Sequence, residues 1–230
     1  MCQSCAASAL QQSVGQQSLW DLQSAYRAHH STETALLDVT NCLLGSADEG
    51  RVSILTLLDL SAVFDTLDRS ILAHLHDIFG ISGKASEWFS SCLSNRFQSV
   101  SVNGWVSSQK KFHYGIPQGS VLGTILITLH IQPLSDIISK RKCDHHKFVD
   151  DTQLHQSSAL SDFHSPIHGV EQCVDSVGRW MTCNRLKLNN DKTEALVNGS
   201  RRRVNVSQDN NLRVGSQNIS FKSHVKSLGV

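Results

Sequence analysis

No stretch of this sequence approaches the ~20 apolar residues that a membrane-crossing helix needs. The nearest, Val121–Ile131, is interrupted by Thr124, Thr128 and His130. The N-terminus lacks the basic start and long apolar core of a secretory signal. A dominant charge is missing too: 21 Lys and Arg against 20 Asp and Glu leave a formal +1. No overall field therefore steers a polyanion, and a nucleic-acid partner must be met by basic groups clustered along a channel. Cys2 and Cys5 form a lone C-x-x-C with no second pair at finger spacing, whereas a structural zinc takes four ligands. His145-His146 near Cys143 likewise lacks a fourth ligand. Cys92 and Cys173, among seven cysteines, stand singly in apolar segments, the use a reducing compartment makes of cysteine.

A length of 230 residues with 40% hydrophobic and 18% charged composition supports one sizeable core with room for a second lobe, and argues against global disorder. Residues 1–19 are rich in Gln, Ser and Ala without periodicity and are expected to be a disordered lead; residues 20–230 are expected to form the domain. Ser31 can cap a helix that carries Ala35, Leu36, Val39 and Leu43 on one face, with a break from Gly45 to Gly50. Val52–Leu58 has the length and β-branching of a buried strand and ends at Asp59. Asp68 can cap a helix striped by Ile71, Leu72, Leu75, Ile78 and Phe79, closed by Gly80. A further helix from Ser82 is expected to bury Ala85, Trp88, Phe89, Cys92 and Leu93. Asn103-Gly104 between Gln98–Val102 and Trp105–Ser108 is a strong hairpin signal. The loop Gly115–Gly119 opens a helix at Ser120, and Lys147–Val149 and Thr152–His155 read as strands turning at Asp150-Asp151. Ile167, Val170, Val174, Val177 and Met181 mark a helix, and strand signals follow at Ala195–Val197, Leu212–Val214 and Val225–Val230. The pattern is α+β.

Asp59 at the end of an apolar strand and Asp150-Asp151 in a hairpin tip are held without flexible linkers. Side by side, three such carboxylates suit two divalent ions acting on an in-line phosphoryl displacement. Magnesium fits, since it takes a few carboxylate oxygens together with substrate phosphates. Taken singly, Asp-Asp between strands is a solvated turn and Asp59 a turn cap; the joint order is what points to chemistry.

That joint order resembles the non-LTR, LINE-type retrotransposon reverse transcriptases, the jockey and chicken-repeat kind in particular. Leu57–Thr66 is similar to the family's first catalytic motif, Gly115–Gly123 to its template- and nucleotide-positioning motif, and Phe148–Leu154 to its metal-binding hairpin. Trp180–Glu194, with Leu186–Asn189 and Asp191–Thr193, resembles the helix–loop motif that follows, and Val225–Val230 the start of the primer grip. Gln23–Arg27 and His30–Leu36 resemble a segment upstream of the palm. The resemblance implies a polymerase palm, its central antiparallel sheet packed on helices, with partial fingers and no thumb. It implies RNA-directed DNA polymerase activity by two-metal nucleotidyl transfer, with two Mg2+ ions, an RNA template, a DNA primer and deoxynucleoside triphosphates. It also implies an intracellular location, nucleus or cytoplasm, and no membrane partner.

Carried over by position, the resemblance makes Asp59, Asp150 and Asp151 the metal ligands and Lys192 the proton donor to the leaving pyrophosphate. Phe64 falls where a ring screens the incoming sugar, and Gln118 and Gly119 where the templating strand and nucleotide are met. Read as ordinary residues, Phe64 is a core aromatic, Pro117–Gly119 a plain turn and Lys192 a solvated lysine. The family usually has proline at Thr124, an aromatic near Ile127, tyrosine near His130 and alanine at Val149; none of these departures removes a metal ligand. Arg201-Arg202-Arg203 reads as an exposed solvated loop. A ribonuclease-H-type nuclease also gathers carboxylates, but has no need of a Pro-Gln-Gly loop between its acidic motifs. The alternative is a non-catalytic retrotransposon remnant that at most binds RNA. With the basic fingers segment and thumb not found in the sequence, the chain alone is expected to extend a primer slowly or not at all.

Overall fold

A computed structural model describes residues 22–25, 29–61, 63–68, 71–116, 121–199 and 211–229. The expected lead over residues 1–19 and the Arg201–Arg203 run lie outside them. Two compact units emerge: Ala62–His130 with Met1–Ser18, and Leu19–Ser61 with Ile131–Val230.

The second unit begins with helix α1 (Thr32–Asp48). Ser31 and Thr34 form its capping box: the Thr34 N–H donates to Ser31 Oγ at 3.3 Å and the Ser31 N–H to Thr34 Oγ1 at 2.8 Å. Ala35 and Val39 are buried, as the face assigned from spacing requires. The expected break at Gly45 is wrong, because the helix runs three residues further to Asp48 and is closed by the Glu49 N–H on Gly45 O. A glycine inside a helix costs only about 1 kcal/mol, which the packed turns on either side offset.

Strand β1 (Arg51–Leu58) follows, then the short β2 (Leu60–Ser61). Every residue of β1 from Val52 to Thr56 is buried, the signature of a central strand covered on both faces. The first unit then supplies α2 (Val63–Thr66), α3 (Ile71–Phe79) and α4 (Gly83–Leu93), the strand pieces β3 (Phe97–Gln98), β4 (Ser101–Val102), β5 (Trp105–Val106) and β6 (Lys110–Lys111), and α5 (Val121–His130). Phe89 and Leu93 of α4 are buried as expected, but Ala85 is exposed and Trp88 only half-buried, since this helix covers the core with its C-terminal half. Asn103 and Gly104 turn the β4–β5 hairpin with φ 49° and 82°, the left-handed pair that a two-residue turn needs. Its pairing is shorter than the sequence suggests, because β3 leaves the hairpin to pair with β6.

The chain returns to the second unit with α6 (Pro133–Lys140), β7 (Asp144–Phe148), β8 (Asp151–Ala159), α7 (His164–Cys183), β9 (Lys187–Leu188), β10 (Glu194–Asn198), β11 (Asn211–Val214) and β12 (Gln217–Ser220). An antiparallel sheet runs in the order β10-β1-β8-β7. Ser157 of β8 meets Ser46 of α1 through their hydroxyls at 3.0 Å, whereas the Gln156 side chain lies against Gly169 of α7. Neighbouring residues of a strand face opposite ways, so α1 and α7 cover opposite faces of the sheet. Helix α7 buries Ile167, Val170, Cys173, Val174, Val177 and Met181 toward it, a stripe at helical spacing. The architecture is the α+β sheet-on-helix arrangement expected. Among the described residues no helix is long and apolar enough to cross a membrane. Residues 225–229 form no strand, contrary to the apolar signal there; turns and side-chain contacts hold them instead.

Gly115 has φ 84°, and a Cβ there would stand 2.7 Å from the Phe64 carbonyl oxygen and 2.9 Å from Asp65 backbone atoms. The Gly115 and Ile116 N–H groups donate to Leu67 O and Phe64 O, each at 2.7 Å. Gly115→Ala must both clash and adopt a left-handed backbone, and is expected to cost about 2–3 kcal/mol in urea unfolding. Lys147 of β7 is 2% exposed. Burial pulls its ammonium down to about 8, with Asp136 pulling the other way. A lysine lowered in the folded chain contributes stability above its ordinary value of 10.5 that is lost as pH falls through about 8. Lys147→Met is therefore expected to stabilise the chain by about 1–3 kcal/mol at pH 7, a gain that shrinks toward pH 10. Urea unfolding of both chains at the two pH values measures it.

Candidate active site

The β1–β8 ladder ends on the pair Leu58↔Thr152. One step further, the same register sets Asp59 across from Asp151, on the face that Leu57 shares with Gln153. The β7–β8 pairing ends on Phe148↔Asp151, so the two turn residues are Val149 and Asp150. The turn thus lies one residue earlier than the sequence suggests: Asp151 begins a strand and only Asp150 is in the tip. Pairing of the polar run Thr152–Ala159 with β1 draws Asp151 into the ladder, a tertiary effect that local propensity does not carry.

Asp59 is gripped twice by Asn189, whose N–H donates to the Asp59 carbonyl at 2.9 Å and whose side-chain amide donates to Oδ2 at 3.0 Å. The β2–β9 pairing Leu60↔Leu188 brings Asn189 there. Thr193 steadies the turn by donating from N–H and Oγ1 to the Asn189 carbonyl at 3.0 and 2.8 Å. Lys192 on this turn places Nζ 3.9 Å from Asp59 Oδ2. Its side chain is 71% exposed, so the pair is loose and solvent-screened. Sequence alone gives Asn189 no role; the only signal was its place at the end of the Leu186–Asn189 motif.

Asp59, Asp151 and Lys192 line a cleft of about 540 Å³, with Leu57, Phe148 and Gln153 in its wall and residues 226–229 along one side. Gln153 Nε2 donates to Ser227 Oγ at 2.6 Å, and the Lys222 N–H to the Ala195 carbonyl at 2.8 Å. The Lys222 ammonium pairs with the Glu194 carboxylate.

The carboxylates act on one another. Loss of hydration, then the Asp59 charge, raises the Asp150 carboxyl, against a backbone hydrogen bond that lowers it. Asp151 is pushed up to about 6, first by loss of hydration, then by the Asp150 and Asp59 charges, with Lys192 opposing. Among the described residues no three acidic, histidine or cysteine side chains surround a common metal position. The donor chemistry nevertheless fits a hard divalent cation: these are oxygen donors whose mutual repulsion a cation would relieve.

Asp59, Asp151 and Lys192 thus line one cleft within one unit, and Asp150 lies near enough for the Asp59 charge to act on it and for its own to act on Asp151. Phe64 belongs to the other unit, half-buried in α2, with its carbonyl accepting from the Ile116 N–H. Gln118 and Gly119 lie outside the described residues.

Residues 2–230 match the family described as reverse transcriptase (RNA-dependent DNA polymerase). The RNA-directed DNA polymerase from mobile element jockey of Drosophila melanogaster is 24% identical over 181 residues. That match takes in 74% of this chain but 19% of the relative, so the chain spans about a fifth of the protein it matches. In fold, the chain is similar to apo telomerase from Candida tropicalis truncated from its C-terminal domain, with TM-score 0.61 and 16% identity over 95% of this chain and 42% of that one. Telomerase from Candida albicans, in complex with a TWJ fragment of telomeric RNA, gives TM-score 0.57 and 13% identity over 95% and 36% of the two chains. Matched from its second residue to its last by one family description, the chain belongs to the reverse transcriptase family.

Proposed function

We propose that this chain is the RNA-directed DNA polymerase domain of a LINE-type retrotransposon, adding deoxynucleotides to a primer 3′-hydroxyl on an RNA template. The observation that carries the reading is the β1–β8 register, which sets Asp59 beside Asp151 next to Asp150, where loss of hydration and then the neighbouring carboxylate charges raise the two hairpin carboxyls. Asp59, Asp150 and Asp151 would hold two Mg2+ ions, which supply charge neutralisation at the reacting phosphate and a more acidic primer hydroxyl. Asn189 fixes the Asp59 carboxylate by its two hydrogen bonds. Lys192 holds a proton on Nζ at the same cleft and donates it to the departing pyrophosphate oxygen as the primer oxygen bonds to the α-phosphorus. Gln118 and Gly119 meet the template and nucleotide, and the Phe64 ring screens the sugar.

Primer extension on an RNA template with Mg2+ tests this reading. Slow, Mg2+-dependent extension is expected, lowered by about 10²–10³-fold in Asp150→Asn. RNA binding with no Mg2+-dependent extension, unaltered by Asp150→Asn, would instead support the non-catalytic remnant. Phe64→Val is expected to admit ribonucleotides while leaving deoxynucleotide addition nearly unchanged; equal discrimination by parent and variant returns Phe64 to a packing role.

Protons compete with the cation. An aspartate raised in the folded chain contributes stability below its ordinary value of 3.8 that is lost as pH rises through about 6. Without divalent ions, Asp151→Asn is therefore expected to raise the melting temperature at pH 7 and leave it unchanged near pH 4. Mn2+ affinity of the parent should fall as pH drops below 6. Thermal melts and Mn2+ titrations across pH 4–8 check both.

A further inference from the structure

Val149 carries the acidic hairpin through its turn with φ 57°. A β-branched residue rarely adopts this left-handed conformation, which crowds its Cβ against the backbone. Val149 is also 9% exposed, so its N–H and C=O cannot rely on water. Both are met by one side chain from far upstream. Gln23 Oε1 accepts the Val149 N–H at 3.0 Å, and Gln23 Nε2 donates to the Val149 carbonyl at 3.2 Å. Oε1 also accepts the Ala25 N–H at 3.1 Å. This settles the amide's orientation, since turning it over would set its NH2 group against two N–H donors.

Gln23 is itself 2% exposed and well anchored. Its segment lies parallel along β7, with the Lys147 N–H donating to Leu22 O at 2.7 Å and the Ser24 N–H to Lys147 O at 3.1 Å. Ser24 Oγ meets His146 Nε2 at 2.9 Å.

We propose that Gln23 is a positioning residue for the acidic hairpin: its amide holds Val149 in the left-handed turn that presents Asp150 and Asp151 to the cation. This inference rests on the polymerase reading. It assigns a function to an upstream residue that touches neither substrate nor metal. A glutamine buried only for packing would be indifferent to what occupies position 149; a clamp on Val149 would not.

The full chain tests this in a double-mutant cycle. Mn2+ affinity is followed by the paramagnetic resonance of free Mn2+ in the parent, Gln23→Leu, Val149→Gly and the double variant, with Asp150→Asn as control. Gln23→Met, close to glutamine in length, is measured alongside in case Gln23→Leu fails to fold, as judged by far-ultraviolet circular dichroism. Glycine takes the left-handed conformation without strain. Removing Gln23 is therefore expected to weaken Mn2+ binding roughly tenfold in the parent background, and by about twofold or less in the Val149→Gly background. Binding that Asp150→Asn does not weaken overturns the polymerase reading and this inference with it. Asp150-dependent binding left intact by the Gln23 variants, or weakened equally in both backgrounds, overturns the inference alone.

Discussion

The antiparallel ladder from Arg51↔Ala159 to Leu58↔Thr152 is the constraint on which the site depends. Side chains alternate along a strand, so a slip of one residue would carry Asp59 to the opposite face and separate it from Asp151. Burial of β1 on both faces opposes that slip, since the slip would take Ser53 from its Ser157 hydroxyl partner, 2.7 Å away on the α1 side, and turn it onto the face covered by α7 in place of Ile54. The site's geometry is thus inherited from core packing, and its own residues contribute little to holding it.

Those residues instead strain against the fold. The β7–β8 hairpin carries a buried ammonium at Lys147, a left-handed valine at Val149 and two mutually repelling carboxylates at Asp150 and Asp151. Each is unfavourable alone, and all four fall within one short stretch of chain. The hairpin survives because β1 pairs with one side of it and residues 22–25 lie along the other. Such concentration of local cost at a site held by its surroundings is what preorganised phosphoryl-transfer chemistry requires.

Much of this was legible in the sequence, for identifiable reasons. The run Val52–Leu58 ending in Asp59 announced β1, because a strand buried on both faces is mostly apolar, with only Ser53 and Thr56 breaking the pattern here. Asn103-Gly104 announced its hairpin, because few residue pairs tolerate two positive φ angles. The position of the acidic turn was misjudged by one residue, because the polar Thr152–Ala159 becomes a strand only through its partner β1. The helix through Gly45 was missed because its continuation depends on packing around it. Asn189 and Gln23 were invisible as contributors. Their contacts to Asp59 and Val149 span 130 and 126 residues, and nothing local in either neighbourhood signals the partner.

The site's acids hang from elements of unequal endurance. Asp59 extends the most enclosed strand of the sheet, whose amides should open to solvent only when the whole unit unfolds. Asp150 sits in a turn beside the end strand of the sheet, held on its outer side, among the described residues, by residues 22–25 and the Gln23 amide alone, so fewer bonds must break to open it. In deuterium-exchange terms, the amides around Asp59 are expected to exchange more slowly than those of the hairpin turn. A cation shared between them would therefore leave protection around Asp59 nearly unchanged and slow exchange in the hairpin.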